Sequence, residues 1–285
     1  MMLQKFELAA KDKERNIGIG LGKSEVHNQK ILKASLSFLQ EYKSNVFLFG
    51  TEKKIVELIK PSHKVNIKSR MKFVECQDPE NYIVEFLEKN AIDSIVRGSL
   101  NSNKFLKNLK IKLNIKTINR LALLETVNGH QFFYGPVGID ECNNFNKKIA
   151  FLEAAFKELH RINVVPKTSI LSGGRIGDLG RDVKVDQTIQ DAEKIVKFMK
   201  EKYKDLNISH DEILIEKAVE DKANLILAPN GISGNLIYRT LVHLGGGKAY
   251  GAIYMGLKNP IIDTSRVGKF SEIYGALILA LALTN

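Results

Sequence analysis

Short apolar runs alternate with stretches of helical periodicity along this chain, the order expected of a parallel sheet covered by helices. Asn16 to Leu21 (NIGIGL) reads as a first strand, Ile31, Leu32, Leu36 and Leu39 recur at helical spacing behind it, and Val46 to Phe49 reads as a second strand. A helix from Glu52 to Lys60 stops before Pro61; the stretches near Val65, Lys72 to Val74 and Ser94 to Val96 supply further strands around a helix from Asn81 to Asn90. This is βαβ grammar.

The grammar changes at Asn128-Gly129. Leu121 to Thr126 and His130 to Tyr134 flank that pair as strands of a two-residue hairpin, which an all-parallel sheet lacks, so the passage to a second domain is placed there. Beyond it, Asn146 to Leu159 reads as a helix and Thr168 to Leu171 as a strand. Asp186 to Lys202 carries Ile189, Ala192, Ile195, Val196 and Met199 along one helical face, and Leu225 to Ala228 is a short buried strand. No repeat, low-complexity segment or tether is present.

Composition narrows the class. With 285 residues, 44% hydrophobic and 26% charged, the chain is long enough for one large or two moderate domains. Its two cysteines, Cys76 and Cys142, make no disulfide framework, which points to a reducing cytoplasm. The longest apolar run, Ile273 to Leu283, is far shorter than the roughly twenty residues that span a bilayer and reads as a buried helix. The formal charge of +11 favours anionic ligands. Lysines are spread along the whole chain and no basic, aromatic-interleaved motif is present, so a nucleic-acid partner is not expected.

Candidate chemistry lies in loops that follow strands, where open α/β sheets bind ligands. Gly18 to Ser24 (GIGLGKS) fails the P-loop pattern because Ile17 stands where glycine is required, and reads as a strand turning into its helix. Arg97-Gly98-Ser99 ends a buried strand just before a helix beginning near Asn103, whose N-terminal amides and dipole suit an anion. Ser172 to Asp182 (SGGRIGDLGRD) follows the strand TSIL: Gly173 and Gly174 let backbone approach a ligand, and the Arg175 guanidinium suits phosphate or carboxylate.

From Ile226 to Leu283 the sequence shows Ser233-Gly234-Asn235, a Gly245-Gly246-Gly247 step, Gly256-Leu257-Lys258-Asn259-Pro260 and Asp263-Thr264-Ser265-Arg266, in that order. In this the chain resembles the phosphate acetyl- and butyryltransferase superfamily. Its Gly-Arg loop and length are most similar to the methanogen MtxX proteins, which are named for a supposed link to methyltransferases. The resemblance implies a two-domain α/β/α fold of the isocitrate/isopropylmalate dehydrogenase type, with residues 1–127 plus 259–285 as one domain, 128–258 as the other, and the active cleft between them. It also implies a homodimer.

By the same resemblance Glu272, seven positions beyond Ser265, stands where the family has the acidic base that removes the coenzyme A thiol proton. Such a transfer from a thiol to an ordinary carboxylate is uphill by roughly 5 to 6 kcal/mol unless burial raises the acid. The bland reading of Glu272 is a charge stabilised by a helix N-terminus. Arg266 would hold phosphate through its fork, Ser265 would hydrogen-bond the reacting centre, and Ser233, Gly234 and Asn235 would complete the anion site. The arginine that the family carries early in one helix has no exact counterpart; Lys104 and Lys107 lie nearby and Arg97 precedes Gly98.

The implied substrates are an acyl phosphate, phosphate and coenzyme A, with no metal. The competing readings are a methyltransferase or its accessory subunit, and a noncatalytic anion or nucleotide sensor. The first lacks an adenosylmethionine loop, and His27, His63, His130, His160, His210 and His243 show no zinc spacing.

Overall fold

A computed structural model describes residues 1–54 and 69–285. Residues 52–54 of the expected helix from Glu52 are helical, and the rest of it, with the expected strand near Val65, lies outside the described residues. The chain divides into two compact units, Leu3–Ile118 with Ala249–Asn285, and Asn119–Lys248 with the first two residues. The first unit is thus discontinuous. Its borders fall at Asn119 and Lys248 in place of the expected 127/128 and 258/259, because both strands of the Asn128-Gly129 hairpin pair within the same unit.

In the discontinuous unit β1 (Asn16–Gly20), β2 (Asn45–Gly50), β3 (Met71–Glu75) and β4 (Ser94–Val96) run parallel; β11 (Ile261–Asp263) continues parallel to β4, and β10 (Lys248–Tyr254) closes antiparallel to β11. The order is β3-β2-β1-β4-β11-β10, so the chain steps outward from β1 and then returns to its other side at β4. Alternate residues of β1 face opposite ways. A Cβ on Gly18 would meet Ile83 of α3 (Pro79–Glu88), whereas Ile19 lies with Ile31 of α2 (Glu25–Glu41) beside Gly98. Helix α3 packs with α4 (Ser102–Lys112), and α2 packs with the last helix, α9 (Phe270–Ala282), so each face of the sheet carries a helix pair.

Helix α9 is buried on every side from Gly275 to Ala282, as the apolar run Ile273 to Leu283 requires. Lys13 donates to the Ala282 carbonyl at 2.7 Å, meeting an acceptor that a helix end leaves open, and Arg15 donates to the Asn285 carbonyl beyond it at 2.6 Å. No described helix is long and apolar enough to cross a membrane. Helix α1 (Met2–Ala10) was not expected, although Met2, Phe6 and Ala10 recur four apart and are buried.

The other unit orders its strands β5-β6-β9-β7-β8. β5 (Arg120–Glu125) and β6 (Gln131–Gly135) form the hairpin, and β6, β9 (Leu225–Leu227), β7 (Lys167–Ile170) and β8 (Asn207–His210) run parallel. Helix α5 (Phe145–Arg161) covers β6 through Phe151, whose ring lies where a Cβ on Gly135 would be. Helix α6 (Val183–Lys202) buries Ile189, Ala192, Ile195 and Met199. Helices α7 (Ile215–Glu220) and α8 (Gly231–Arg239) complete the unit.

Candidate anion-binding site

The return of the chain from β3 to β4 opens a crevice beyond the carboxyl ends of the parallel strands, between β1 and β4. There the two strand-end loops touch. The Gly22 amide donates to Ser99 Oγ, Ser99 Oγ donates to Asn28 Oδ1, and Asn28 Nδ2 donates to the Gly22 carbonyl at 3.0 Å. A Cβ at position 22 would stand 1.8 Å from the Ser99 carbonyl oxygen, so glycine is required for this contact.

Three helices begin at the crevice. Ser24 caps α2, Asp78 caps α3 and Asn101 caps α4, each side chain accepting one amide of the first turn. The remaining free amides and dipoles give the crevice a positive end field. It forms a cavity of about 860 Å³ whose lining includes Gly22, Lys23, Ser24, Thr51, Lys54, Gln77, Ser99, Asn101, Lys107 and Arg266. Among the described residues no carboxylate pairs with Lys23, Lys54, Lys107 or Arg266. Lys104 differs: Asp78 and Glu80 engage it at 2.9 and 3.5 Å, and Glu80 also accepts the Asn101 amide at 3.0 Å.

Arg266 reaches the cavity from a turn that a buried arginine holds in place. Arg97, 3% exposed, donates to Asp263 Oδ1, to the Thr264 carbonyl and, at 2.7 Å, to the Leu100 carbonyl. Burial opposes its charge, but Asp263 more than compensates and holds the guanidinium above its ordinary pKa. Thr264 Oγ1 donates to the Gly98 carbonyl at 2.9 Å. Arg97, expected to bind phosphate, therefore has its donors committed to the turn, and Gly98 is needed because its φ of +63° disfavours any side chain.

Past the turn, Glu272 in the first turn of α9 is 3% exposed, and its Oε1 accepts the Ser265 amide at 2.6 Å. Ser265 Oγ accepts the Val267 amide at 3.3 Å, which leaves its own proton for another acceptor. A carboxylate, a serine and an arginine thus share one short segment. Expected site residues Ser99, Lys104, Lys107 and Arg266 line the cavity, with Ser265 beside Arg266.

The remaining expected residues lie in the other unit and form two separate local structures. At α8, Asn230 accepts the Ser233 amide at 3.0 Å, Ser233 Oγ donates to the Asn230 carbonyl at 3.1 Å, and Asn235 Nδ2 donates to the Val137 carbonyl at 2.8 Å. A Cβ on Gly234 would stand 2.0 Å from the Pro136 carbonyl oxygen, so this turn is also a close-packing device. In the Gly-Arg loop, Gly173 donates to Thr188 Oγ1 at 2.7 Å and Arg175 to Asp178 Oδ2 at 2.9 Å through their amides. Ser172 Oγ donates to the Gly174 carbonyl at 2.8 Å and sits 2.9 Å from His210 Nε2.

Lys23, Lys54, Thr51 and Gln77 were missed as cavity residues. Lys23, Thr51 and Gln77 were within reach of the strand-end rule once β1, β2 and β3 were recognised as parallel neighbours; Lys54 carries no local signal. Among the described residues no group of His, Cys, Asp and Glu is arranged to hold a metal ion.

Residues 51–281 match the phosphate acetyl/butaryl transferase family. A Methanosarcina mazei protein named "Putative methyltransferase mtx subunit X" is 36% identical over 284 residues, covering 100% of this chain and 95% of its own. A phosphotransacetylase from Streptococcus pyogenes superposes with a TM-score of 0.71 at 15% identity, covering 99% of this chain and 97% of its own. Isocitrate dehydrogenase from Methylococcus capsulatus does so at 0.53 and 10% identity, covering 93% of this chain and 85% of its own, which places the fold with both groups.

Proposed function

The chain belongs to the phosphate acetyl/butaryl transferase family, and from that premise we propose that it binds an acyl phosphate and transfers the acyl group reversibly to coenzyme A. One observation carries this reading. A single cavity gathers three helix N-termini and four cationic side chains without described carboxylate partners, and Arg266, one of the four, adjoins Ser265.

In the forward direction Glu272 takes the proton from the thiol, the thiolate sulfur attacks the acyl carbonyl carbon, and the carbon–oxygen bond to phosphate breaks. Phosphate leaves with the electron pair. Arg266 holds its charge through a two-oxygen fork, and the free Ser265 proton is directed at the carbonyl oxygen as negative charge develops there. Glu272 needs no rotation toward the turn, because its carboxylate already rests on Ser265.

The test is direct. Acetyl phosphate and longer acyl phosphates are incubated with coenzyme A, and thioester and phosphate are measured together. Stoichiometric formation of both supports transfer; phosphate release without thioester, or no reaction with any chain length, removes the proposal.

A second reading follows from the name of the Methanosarcina mazei relative, a role as a methyltransferase subunit. It predicts that acyl phosphates are not converted and that the protein co-purifies with a methyl-transferring partner. A noncatalytic anion sensor predicts tight phosphate binding without turnover.

A further inference from the structure

The cavity lies wholly in the discontinuous unit and follows the ends of five adjacent strands. Gln77 lies just past β3, Thr51 past β2, Gly22 past β1, Ser99 past β4 and Arg266 past β11, in the order in which those strands pair. Neighbouring strands stand ~4.8 Å apart, so four spacings carry the wall roughly 19 Å from end to end. A volume of about 860 Å³ suits a ligand well beyond a phosphate joined to an acetyl group.

The wall is polar along that length. Arg266 stands at the β11 end, and Lys54, in the turn after β2, stands toward the other. Among the described residues Pro79 is the one apolar side chain on the wall and none is aromatic. The carboxylate of Glu80 is answered by Lys104 at 3.5 Å and by the Asn101 amide at 3.0 Å, so it does not cancel the charge at either end. A hydrocarbon acyl chain laid along this wall would leave its polar groups unanswered, and a nucleotide base would find no ring to stack on.

We infer that the substrate is an elongated dianion: an acyl phosphate whose acyl chain ends in a second anionic group, a carboxylate or a phosphate. This rests on the reading of the cavity as an acyl-phosphate site. Arg266, beside Ser265, takes the phosphoryl group; the chain runs past the ends of β4 and β1; Lys54 and Thr51 take the second anion. Cations at separate strand ends select a ligand by the distance between its charges, because only a matching length engages both.

The experiment titrates the full-length protein, Lys54→Ala and Arg266→Ala by calorimetry. The probes are ethylphosphonate, a series of alkane bisphosphonates of increasing spacer length, and coenzyme A. One intermediate spacer is expected to bind about tenfold or more tighter than ethylphosphonate, and Lys54→Ala to remove most of that gain. Arg266→Ala is expected to weaken both kinds of phosphonate. Ethylphosphonate binding with no gain at any spacer length, or a gain that survives in Lys54→Ala, overturns the inference and leaves the anion site standing. If no phosphonate binds, the anion reading fails and this inference with it. Coenzyme A that displaces the bisphosphonate and itself loses affinity in Lys54→Ala assigns the second subsite to coenzyme A, which also overturns the inference.

Discussion

The Ser265 amide donates to Glu272 Oε1 at 2.6 Å, so a carboxylate seven residues along the chain returns to the turn that precedes its own helix. That spacing is what a helix begun at Phe270 allows: the third residue of the first turn lies close enough to reach backward over the entry of the chain. The two readings of Glu272, a base or a charge held at a helix N-terminus, therefore describe one place. The same bond that answers an amide holds the carboxylate beside Ser265.

Glu272→Gln preserves the acceptor for the Ser265 amide and removes the basic oxygen. Under the proposed acyl transfer, turnover falls about 10²- to 10⁴-fold with the melting temperature little changed. Full turnover in a correctly folded Glu272→Gln protein excludes Glu272 as the base.

Arg97→Ala removes the guanidinium from the partly buried Asp263 and frees the Thr264 and Leu100 carbonyls. A loss of about 3 to 5 kcal/mol in urea unfolding is expected. Arg97→Lys restores the charge without the fork and should recover only part of it. A loss below about 1 kcal/mol in Arg97→Ala contradicts the anchoring role.

Glycines give a steric contrast. Alanine at Gly231 would place its Cβ 1.7 Å from the Gly138 carbonyl oxygen, whereas at Gly177 no atom lies within 4 Å. Gly231→Ala should lower stability by about 1 to 3 kcal/mol, and Gly177→Ala should leave it unchanged or raise it by up to about 1 kcal/mol. Thermal denaturation of both variants is sufficient.

His27 makes stability depend on pH in a defined window. Its folded pKa, lowered to about 4 by burial, Lys30 and Arg97, lies below the unfolded value near 6.5, so between those values the unfolded chain binds the extra proton. Stability is therefore greatest above about pH 6.5 and declines by up to about 3 kcal/mol as pH falls toward 4. In His27→Phe this part of the decline disappears. Denaturant unfolding at several pH values reads the difference; parallel curves would assign the acid loss to other groups.

The cavity cations are separable by their partners. Lys107→Ala removes a charge with no described acidic partner and should weaken phosphate binding about two- to fivefold, with a smaller difference at high salt. Lys104→Ala removes a charge already engaged by Asp78 and Glu80, so its effect should be smaller. Calorimetric titrations at two ionic strengths test the order.

Much of this was legible locally. Strands β1, β2, β3 and β4 follow from their apolar runs, α6 from its single buried face, and the β5–β6 hairpin from Asn128-Gly129. Strand β8 was not, because it carries the polar residues of an exposed edge and shows no clean alternation. The Ser265-Arg266 segment was recognised from its neighbours in the sequence. The separate surroundings of Arg97 and Arg266 were not, since both are arginines next to a loop and only burial distinguishes the anchor from the arginine left on the cavity wall.

The sequence by itself determined most of the helices and strands and which family the Ser233 to Arg266 motifs resemble, because backbone preference and hydrophobic period act over a few residues. Tertiary structure alone decided which charges remain open to a ligand. Lys23, Lys54, Lys107 and Arg266 come from four distant stretches and meet only because the chain returns past β1 to form β4, while Asp263 takes Arg97 out of reach. Pairing and desolvation are properties of that assembly, and the spacing of residues along the chain does not encode them.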